Sequence, residues 1–405
     1  MRYLERAMGV VVRATLAIAA ALAYAGCEEG PSSATTEQRG DTLFVFANGP
    51  PTLPTRVARV DLRVGALDGD PNLSFGRLEY LTVLPSGGFA MWDDHFMRVS
   101  RFDATGQFLG EYGRRGQGPG EFRYVFGLGG SPDGCVYLYA SDGRVLRFGE
   151  DGDYTDEWRL DFRLSAGDPF VPLADSLLVL KILEQSGSLT TPSIFGFVTV
   201  DARGEDIDST GPIPYPWSEE ITRGYPGLAS MPFLAWSPAG FYAAGVTGRF
   251  AVEVHPREGG VVRIERRVDP VPFLKDEWQE WEEHNEFMRR RSGDPPRYPT
   301  TPEHKPPIRG VFLPPNGEIW IQRSTLSVGP DPGHLKSVAG LQTSPEWLEP
   351  LLFEVFEPNG TYLGAVEGPV GVDVRAVSEN AIWGYVNGTY GEQYVVRLKI
   401  DMSGR

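Results

Sequence analysis

Cysteine is almost absent from this sequence. The 405 residues include two, Cys27 and Cys135, and Cys135 lies within an apolar strand pattern, CVYLY. If Cys27 is modified, no second thiol remains for an internal disulfide. The fold must then be stabilised by its core, for which the hydrophobic residues, 41% of the chain, are ample. We interpret Cys135 as a small buried apolar residue rather than a reactive thiol.

Positive charge is also scarce. The chain has 38 Lys and Arg against 54 Asp and Glu, which gives a formal net charge of -16. A surface this acidic repels phosphate backbones and argues against a nucleic-acid partner. Its simplest consequence is solubility.

Apolar sequence at the N-terminus is too short to span a bilayer. The run from Ala14 to Leu22 follows three arginines and predicts a secretory signal peptide over residues 1–26. Ala23–Cys27 (AYAGC) resembles a bacterial lipobox, with Tyr24 where leucine is usual. This resemblance implies acylation of Cys27 and attachment to a membrane through a lipid anchor. Cleavage after Ala25, which would give a soluble periplasmic or secreted protein, is the alternative.

Recognisable catalytic and metal-binding motifs are missing as well. The five histidines are scattered without metal-ligand spacing, and neither a Gly-x-Ser-x-Gly elbow nor a phosphate-binding P-loop occurs. Asp93 and Asp94 could form an acid/base pair or bind Ca²⁺, but an acidic hairpin turn is the commoner explanation. We therefore expect no cofactor.

Turns are what the sequence has in abundance, with 49 glycines and 34 prolines. A turn followed by an apolar strand recurs six times, starting at Pro85, Pro132, Ala174, Pro238, Pro315 and Glu379. A second motif alternates with it: an apolar residue, a bulky residue three positions later, a glycine four beyond, and an apolar residue two further on. Its first copy is Val99, Phe102, Gly106 and Phe108. The two motifs predict units of four antiparallel strands joined by tight turns.

Six such units predict an all-β fold, a six-bladed β-propeller over residues 41–405. The last unit lacks a fourth strand, whereas Val57–Val64 alternates with period two before the first unit. We predict that Val57–Val64 pairs with Tyr394–Ile400 and closes the ring. Residues 27–40, which are polar, are predicted to be a flexible tether.

The segment Gly110–Phe122 (GEYGRRGQGPGEF) carries a family resemblance. It is similar to the connection between blades in NHL-type propellers, and in particular resembles the bacterial 6-bladed β-propeller lipoprotein family. The resemblance implies the propeller fold and a location in the cell envelope. It implies no activity, because fold does not determine function.

Long insertions are predicted on one face of the propeller, at residues 182–194, 270–307 and 326–350. Within the second, Lys275–Arg291 reads as a helix with acidic residues early and arginines late. Its Trp278 and Trp281 either form an aromatic lid over a ligand or dock the helix onto the propeller, and docking is the commoner role.

Basic and polar residues on this face are candidate ligand contacts. The candidates are Arg114, Arg115, Asp94, His95, His304, Arg309 and Arg323, with Lys305 beside His304. Such cations suit an anionic ligand, unless each arginine instead pairs with a carboxylate to fix a loop. The leading hypothesis is a monomeric binding module for a small anion, a glycan or an envelope protein. The alternative is a hydrolase or lyase that resembles lactonase-type propellers and depends on a divalent metal such as Ca²⁺.

Overall fold

The computed structural model describes residues 34–164, 169–184, 194–213, 230–292, 303–329, 347–388 and 391–401. The expected signal peptide and Cys27 lie outside the described residues. None of the helices in the described ranges is long and apolar enough to cross a membrane.

Strands dominate the described part of the chain. In chain order they are β1 (Thr35–Arg39), β2 (Thr42–Phe46), β3 (Arg56–Val64), β4 (Leu78–Val83), β5 (Phe89–Asp93), β6 (Arg98–Phe102), β7 (Phe108–Glu111), β8 (Arg114–Arg115), β9 (Glu121–Phe122), β10 (Val125–Gly130), β11 (Val136–Ala140), β12 (Arg144–Phe148), β13 (Tyr154–Arg159), β14 (Phe170–Pro172), β15 (Leu177–Glu184), β16 (Ile194–Val200), β17 (Asp206–Ser209), β18 (Pro232–Ser237), β19 (Phe241–Val246), β20 (Ala251–Pro256), β21 (Val261–Glu265), β22 (Ile308–Phe312), β23 (Ile319–Arg323), β24 (Pro350–Phe356), β25 (Tyr362–Val370), β26 (Asp373–Val377), β27 (Ala381–Asn387) and β28 (Gln393–Ile400).

Within the described ranges, 24 of these strands, all except β1, β2, β8 and β9, form six units of four antiparallel strands. Units 1 to 5 are β4–β7, β10–β13, β14–β17, β18–β21 and β22–β25, and unit 6 is β26–β28 with β3. Within units 1 to 5, consecutive strands are hydrogen-bonded neighbours in simple up-and-down order. The molecule is therefore all-β, and this repeated arrangement is consistent with a β-propeller.

The two repeated sequence motifs form the tight turns inside the units. In the first copy of one motif, the N–H of Gly87 donates to the Leu84 carbonyl at 2.9 Å, with Gly87 at φ +84°. In the other, Gly106 has φ +83°, and a Cβ there would lie 2.5 Å from the Val64 side chain. Glycine is required at both positions because L-residues rarely adopt this backbone and, at Gly106, because no space exists for a side chain.

Antiparallel pairing divides each unit into two ends. These tight turns lie at one end, which we call the turn end. The connection between the second and third strands, and the connections to neighbouring units, leave from the other, which we call the loop end. The described parts of the long insertions at residues 270–307 and 326–350 therefore leave from the loop end, as the sequence predicts, whereas most of the insertion at residues 182–194 lies outside the described residues.

The pairing predicted for the N-terminal strand is present. β3 runs antiparallel to β28, in register from Val64 opposite Val395 to Ala58 opposite Ile400. An ion pair between Arg397 and Asp61 at 2.9 Å joins the same two strands. β3 thus supplies the fourth strand that unit 6 otherwise lacks.

Two further N-terminal strands extend unit 4. β2 lies parallel to β21, and β1 pairs antiparallel with β2 at the outside. The sequence predicts a flexible tether over residues 27–40, but residues 35–39 form β1, and residues 27–33 lie outside the described ranges. The physical reason is that β21 would otherwise be the outer strand of unit 4, and β2 forms hydrogen bonds with its free backbone groups. β1, in which every residue is polar and exposed, is suited to the outer edge of the sheet.

Between β2 and β3 the chain follows the outer edges of successive units. The N–H groups of Thr52 and Leu53 donate to the carbonyls of Tyr362 and Leu363 in β25, at 3.2 and 2.8 Å. We call residues 41–57 the N-terminal strap. It contacts unit 4 through β2, then unit 5, and leads into unit 6 through β3.

The hydrophobic core lies between consecutive units. Clusters of buried side chains join units 1 and 2, 2 and 3, 3 and 4, 4 and 5, and 5 and 6. A further cluster joins unit 6 to unit 1, where the rings of Phe89 and Trp383 are 5.2 Å apart. Each unit therefore packs both of its faces against a neighbour.

The predicted helix is present as α1 (Lys275–Ser292), in the connection between units 4 and 5. At its N-terminus the Glu277 carboxylate accepts the N–H of Leu274 at 3.2 Å, which satisfies a backbone donor that the helix leaves free. The partly buried Trp278 packs edge-on against Phe273, with ring centroids 5.7 Å apart.

Candidate functional site

A cleft of about 700 Å³ opens at the loop ends of units 4 and 5. Its walls are Ser230, the turn after β19 (residues 248–250), the chain after β21 (residues 266–271), the chain before β22 (residues 304–307), and the end of β23 (residues 323–324). Insertions at this end of the strands therefore create a concave site on a rigid sheet framework, where ligand-binding sites are often found.

The cleft is strongly basic although the protein as a whole is acidic. Six of its lining residues are cationic or imidazole side chains, and Asp269 is the one acidic residue in the lining. The six are Arg249, Arg266, Arg267, His304, Lys305 and Arg323. Val268, Val271 and three prolines supply apolar wall between them.

Two of these arginines share one buried carboxylate. Glu354 forms an ion pair with Arg266, with Nε and Oε2 2.7 Å apart, and its Oε1 accepts a hydrogen bond from Arg323 Nη1 at 2.8 Å. Arg266 also donates to the Ala47 carbonyl of the N-terminal strap, and its guanidinium lies 3.9 Å from the Tyr362 ring centroid. These contacts hold both arginines in the wall and offset much of their charge.

Lys305 is the centre of a buried polar network. Its Nζ lies 2.7 Å from Glu277 Oε1 in α1 and 3.2 Å from Glu349 Oε1, and it donates to Ser327 Oγ at 2.6 Å. Only 1% of this side chain is exposed, so the ammonium faces its protein partners rather than the cleft solution. The network joins the helix of one insertion to both ends of the other.

Arg267 and His304 differ from the other basic residues of the cleft. Both are exposed, and among the described residues neither side chain has a hydrogen bond or ion pair. Arg249, by contrast, lies 3.3 Å from Glu265. The backbone of Arg267 is fixed, because its N–H donates to Asn48 Oδ1 of the strap at 2.7 Å. The cleft therefore presents two hydrogen-bond donors without internal partners, on a positioned backbone.

The sequence-predicted candidates divide between two places. His304 and Arg323 line the cleft with Lys305, and Arg309 lies nearby, held 2.6 Å from Glu349. Arg114, Arg115, Asp94 and His95 lie in the connections around units 1 and 2 instead. Whether any of them binds a ligand stays a prediction.

In the loop that carries the family resemblance, Glu121 organises the backbone. Its carboxylate accepts the N–H groups of Gln117 and Gly118 at 3.0 and 2.9 Å and pairs with Arg114 at 2.7 Å. The Gly118 N–H, then Arg114 and the Gln117 N–H, lower the pKa of Glu121. Arg114 is thus partnered, and Arg115 is exposed.

Asp93 and Asp94 have turn-forming contacts. The buried Asp93 carboxylate accepts backbone N–H groups from Gly76, Arg77, His95 and Phe96, at 2.8 to 3.2 Å. Asp94 is also buried and pairs with the Arg77 guanidinium. His95 is exposed and packs edge-on against Phe96. Across the described ranges, no three His, Cys, Asp or Glu side chains are grouped as metal ligands.

Sequence reasoning missed Arg249, Arg266 and Arg267. Arg266 and Arg267 directly follow β21, and Arg249 lies in the connection between β19 and β20. Both of these connections are at the loop end, so the strand boundaries alone would have identified the three arginines as candidate ligand contacts. The arginines predicted from the sequence are instead Arg309 and Arg323, at the ends of the first two strands of unit 5, and Arg114 and Arg115, in the connection between units 1 and 2.

Comparison with known proteins gives a likeness of fold. No family model matches the chain, and no curated protein does. A member of the DUF4221 family from Bacteroides vulgatus is similar in structure, with 11% identity, a TM-score of 0.55, and coverage of 87% of this chain and 99% of that one. At this identity the similarity shows the fold alone.

Two lyases are less similar to this chain in structure. A streptogramin B lyase has 10% identity and a TM-score of 0.39 over 84% of this chain and 97% of its own. A virginiamycin B lyase from Staphylococcus aureus has 14% identity and a TM-score of 0.38 over 83% and 98%. Scores this low carry no argument about the function of this chain.

Proposed function

We propose that this chain is an exported binding protein of the cell envelope, anchored by a lipid on Cys27, whose basic cleft holds a small anionic ligand. The N-terminal signal pattern and the lipobox-like Ala23–Cys27 support export and anchoring. The similarity of Gly110–Phe122 to the bacterial 6-bladed β-propeller lipoprotein family supports the same location.

The proposal includes a closed ring of six blades. Its support is the cluster that joins unit 6 to unit 1, together with the pairing of β3 and β28. A closed ring protects sheet edges and gives the loop ends of neighbouring units a common face. That geometry would make the cleft between units 4 and 5 part of the face that carries the long insertions.

The observation that carries the proposed function is the pair of unpartnered donors in the cleft. Arg267 and His304 stand among arginines that already have carboxylate partners. A carboxylate or phosphate group would accept hydrogen bonds from both, and charge-assisted bonds of this kind are strong. The prolines and valines around them suit the apolar part of a ligand.

Titration calorimetry of the mature chain with inorganic phosphate and with citrate tests this proposal. We expect Arg267→Ala and His304→Ala each to weaken binding about tenfold, as the loss of one hydrogen bond to a charged group does. Arg59→Ala, a change at an exposed arginine of β3, is the matched control and should bind as the wild type does. The cleft would be rejected as the site if the wild type showed no binding signal. It would also be rejected if the Arg267→Ala/His304→Ala double variant bound with the same affinity as the wild type.

The metal-dependent hydrolase or lyase alternative has a separate test. Elemental analysis of protein purified without chelator would favour that alternative if it found stoichiometric divalent metal. A metal-free protein that still binds phosphate would favour the binding module.

A further inference from the structure

Strand directions place the N-terminal entry point at the loop end of unit 4. β2 is parallel to β21, with Phe46 opposite Glu265, the last residue of β21 before the cleft wall. β1 returns antiparallel, with Thr35 opposite Phe46. The described chain therefore begins at the same end of unit 4 as the cleft, two strands away from β21.

The strap connects this entry point directly to the cleft wall. The Ala47 N–H donates to the Glu265 carbonyl at 2.9 Å, and the Ala47 carbonyl accepts from Arg266. Asn48 then accepts the N–H of Arg267 at 2.7 Å. The entry point and the cleft are consequently parts of one hydrogen-bonded structure.

The covalent chain limits how far this end can lie from an anchor on Cys27. Cys27 and Ala34 are seven residues apart, and seven residues span at most about 25 Å when fully extended. A lipid on Cys27 would therefore keep the loop end of unit 4 within about 25 Å of the bilayer surface.

Exposed aliphatic side chains lie beside the cleft at the same end. Leu326 and Val328, shortly after the cleft residue Arg323, are 52% and 50% exposed. Leu348 pairs with Val328 through a pair of backbone hydrogen bonds of 2.8 and 3.1 Å and is 37% exposed. We call these three residues the aliphatic patch. Apolar side chains next to cationic ones match the boundary between lipid headgroups and acyl chains.

We infer that the loop end of units 4 and 5 docks on the membrane that holds the anchor, with the headgroup of an anionic phospholipid in the basic cleft and the aliphatic patch at the interface. This inference rests on the proposed function and names its ligand. Arg267 and His304 donate to the phosphate, and Leu326, Val328 and Leu348 contact the upper acyl region. The overall negative charge opposes non-specific adsorption, so attraction is confined to this end.

Vesicle sedimentation tests the inference on the chain from residue 27 onward carrying Cys27→Ser, so that the anchor contributes nothing. The probes are phosphatidylcholine vesicles with and without phosphatidylglycerol. We expect binding to require phosphatidylglycerol. It should fall about fivefold for Arg267→Ala, which removes one cation near the surface. It should also fall for His304→Ala, which removes a hydrogen-bond donor to the phosphate. A similar loss is expected for the Leu326→Ser/Val328→Ser variant.

Matched controls distinguish vesicle binding by this surface from non-specific adsorption of the protein. Ile207→Ser removes an aliphatic side chain that is 58% exposed in β17 of unit 3, and Arg59→Ala removes an exposed arginine of β3. Both should bind phosphatidylglycerol vesicles as the unsubstituted chain does. Equal losses in the controls, or equal binding to both kinds of vesicle, would overturn the inference.

The outcomes distinguish this inference from the proposed function. Phosphate binding without vesicle binding would overturn the membrane inference and leave the anion-binding proposal standing. Loss of vesicle binding in Leu326→Ser/Val328→Ser with phosphate affinity unchanged would support the inference. If neither phosphate nor vesicles bind, both proposals fail.

Discussion

Carboxylates that accept backbone N–H groups organise several turns of this chain. Asp103 accepts from the Thr105 hydroxyl at 2.7 Å and from the N–H groups of Thr105 and Gln107 at 2.8 and 2.9 Å. Asp201 accepts the N–H groups of Arg203 and Glu205 in the equivalent turn of unit 3. The ionised form of each carboxyl group is the stronger acceptor, so these turns are coupled to pH.

This coupling predicts how stability depends on pH. The Thr105 hydroxyl and then the Gln107 N–H lower the pKa of Asp103, and the N–H groups of Glu205 and Arg203 lower that of Asp201. A group with a lowered folded pKa adds stability above its unfolded pKa, about 3.9 for Asp, and loses it as pH falls through the folded value. We expect the melting temperature to decline below about pH 4.

Asp103→Asn isolates one of these contributions. The variant should melt below the wild type at pH 7, because the charged acceptor is gone, and the difference should shrink as the pH falls below about 4 and Asp103 takes up its proton. Scanning calorimetry at a series of pH values measures the difference. A gap that stays constant down to pH 2 would contradict the role given to the ionised carboxylate.

The glycines of the tight turns could be predicted from the sequence, but the partners of the ion pairs could not. Gly87 and Gly106 are needed by local backbone geometry, so a motif of a few residues marks them. The partners of Arg309 and Arg323 are Glu349, at the end of the insertion at residues 326–350, and Glu354, in β24 just after it. No local pattern specifies such pairs, and the alternative that the arginines pair with carboxylates therefore could not be decided beforehand.

At the scale of elements, the Lys305 network joins three segments that are distant in sequence. It connects α1 through Glu277, the chain before β22 through Lys305 itself, and the insertion between β23 and β24 through Ser327 and Glu349. The helix bounds were predictable from charge and periodicity, and the prediction is confirmed to within one residue. Its docking partners were not, because they include residues of a second insertion, at residues 326–350.

Lys305→Met tests this network. The substitution leaves Glu277 and Glu349 buried without their cation, which costs about 3–5 kcal/mol in comparable buried pairs. Lys181→Met is the matched control, because Lys181 pairs with the half-exposed Asp206 and should cost less than about 1 kcal/mol. Urea unfolding curves of both variants measure the costs. A Lys305 variant no less stable than the Lys181 variant would contradict the assignment.

At the scale of the whole molecule, the sequence patterns predicted the number of repeated units and the partner of β3. Both follow from alternation and turn spacing that recur along the chain. The hairpin of β1 and β2 was not predicted, since the polar β1 resembles a tether and the partner of β2, β21, lies more than 200 residues away. Edge pairing between distant segments leaves little trace in local sequence.

The proposed closed ring predicts that a cavity at the junction of units 6 and 1 destabilises both units. Trp383 is buried in the cluster shared with Phe89 and Phe102, so Trp383→Ala should cost about 3–5 kcal/mol. Hydrogen exchange should accelerate in β26–β28 and also in β4–β7, because the cavity removes packing from both sheets. Phe96→Ala, at a side chain that is 49% exposed, controls for loss of an aromatic ring and should leave exchange unchanged. Acceleration confined to unit 6 would mean that unit 1 does not depend on this contact, and a closed ring would then lose its main support.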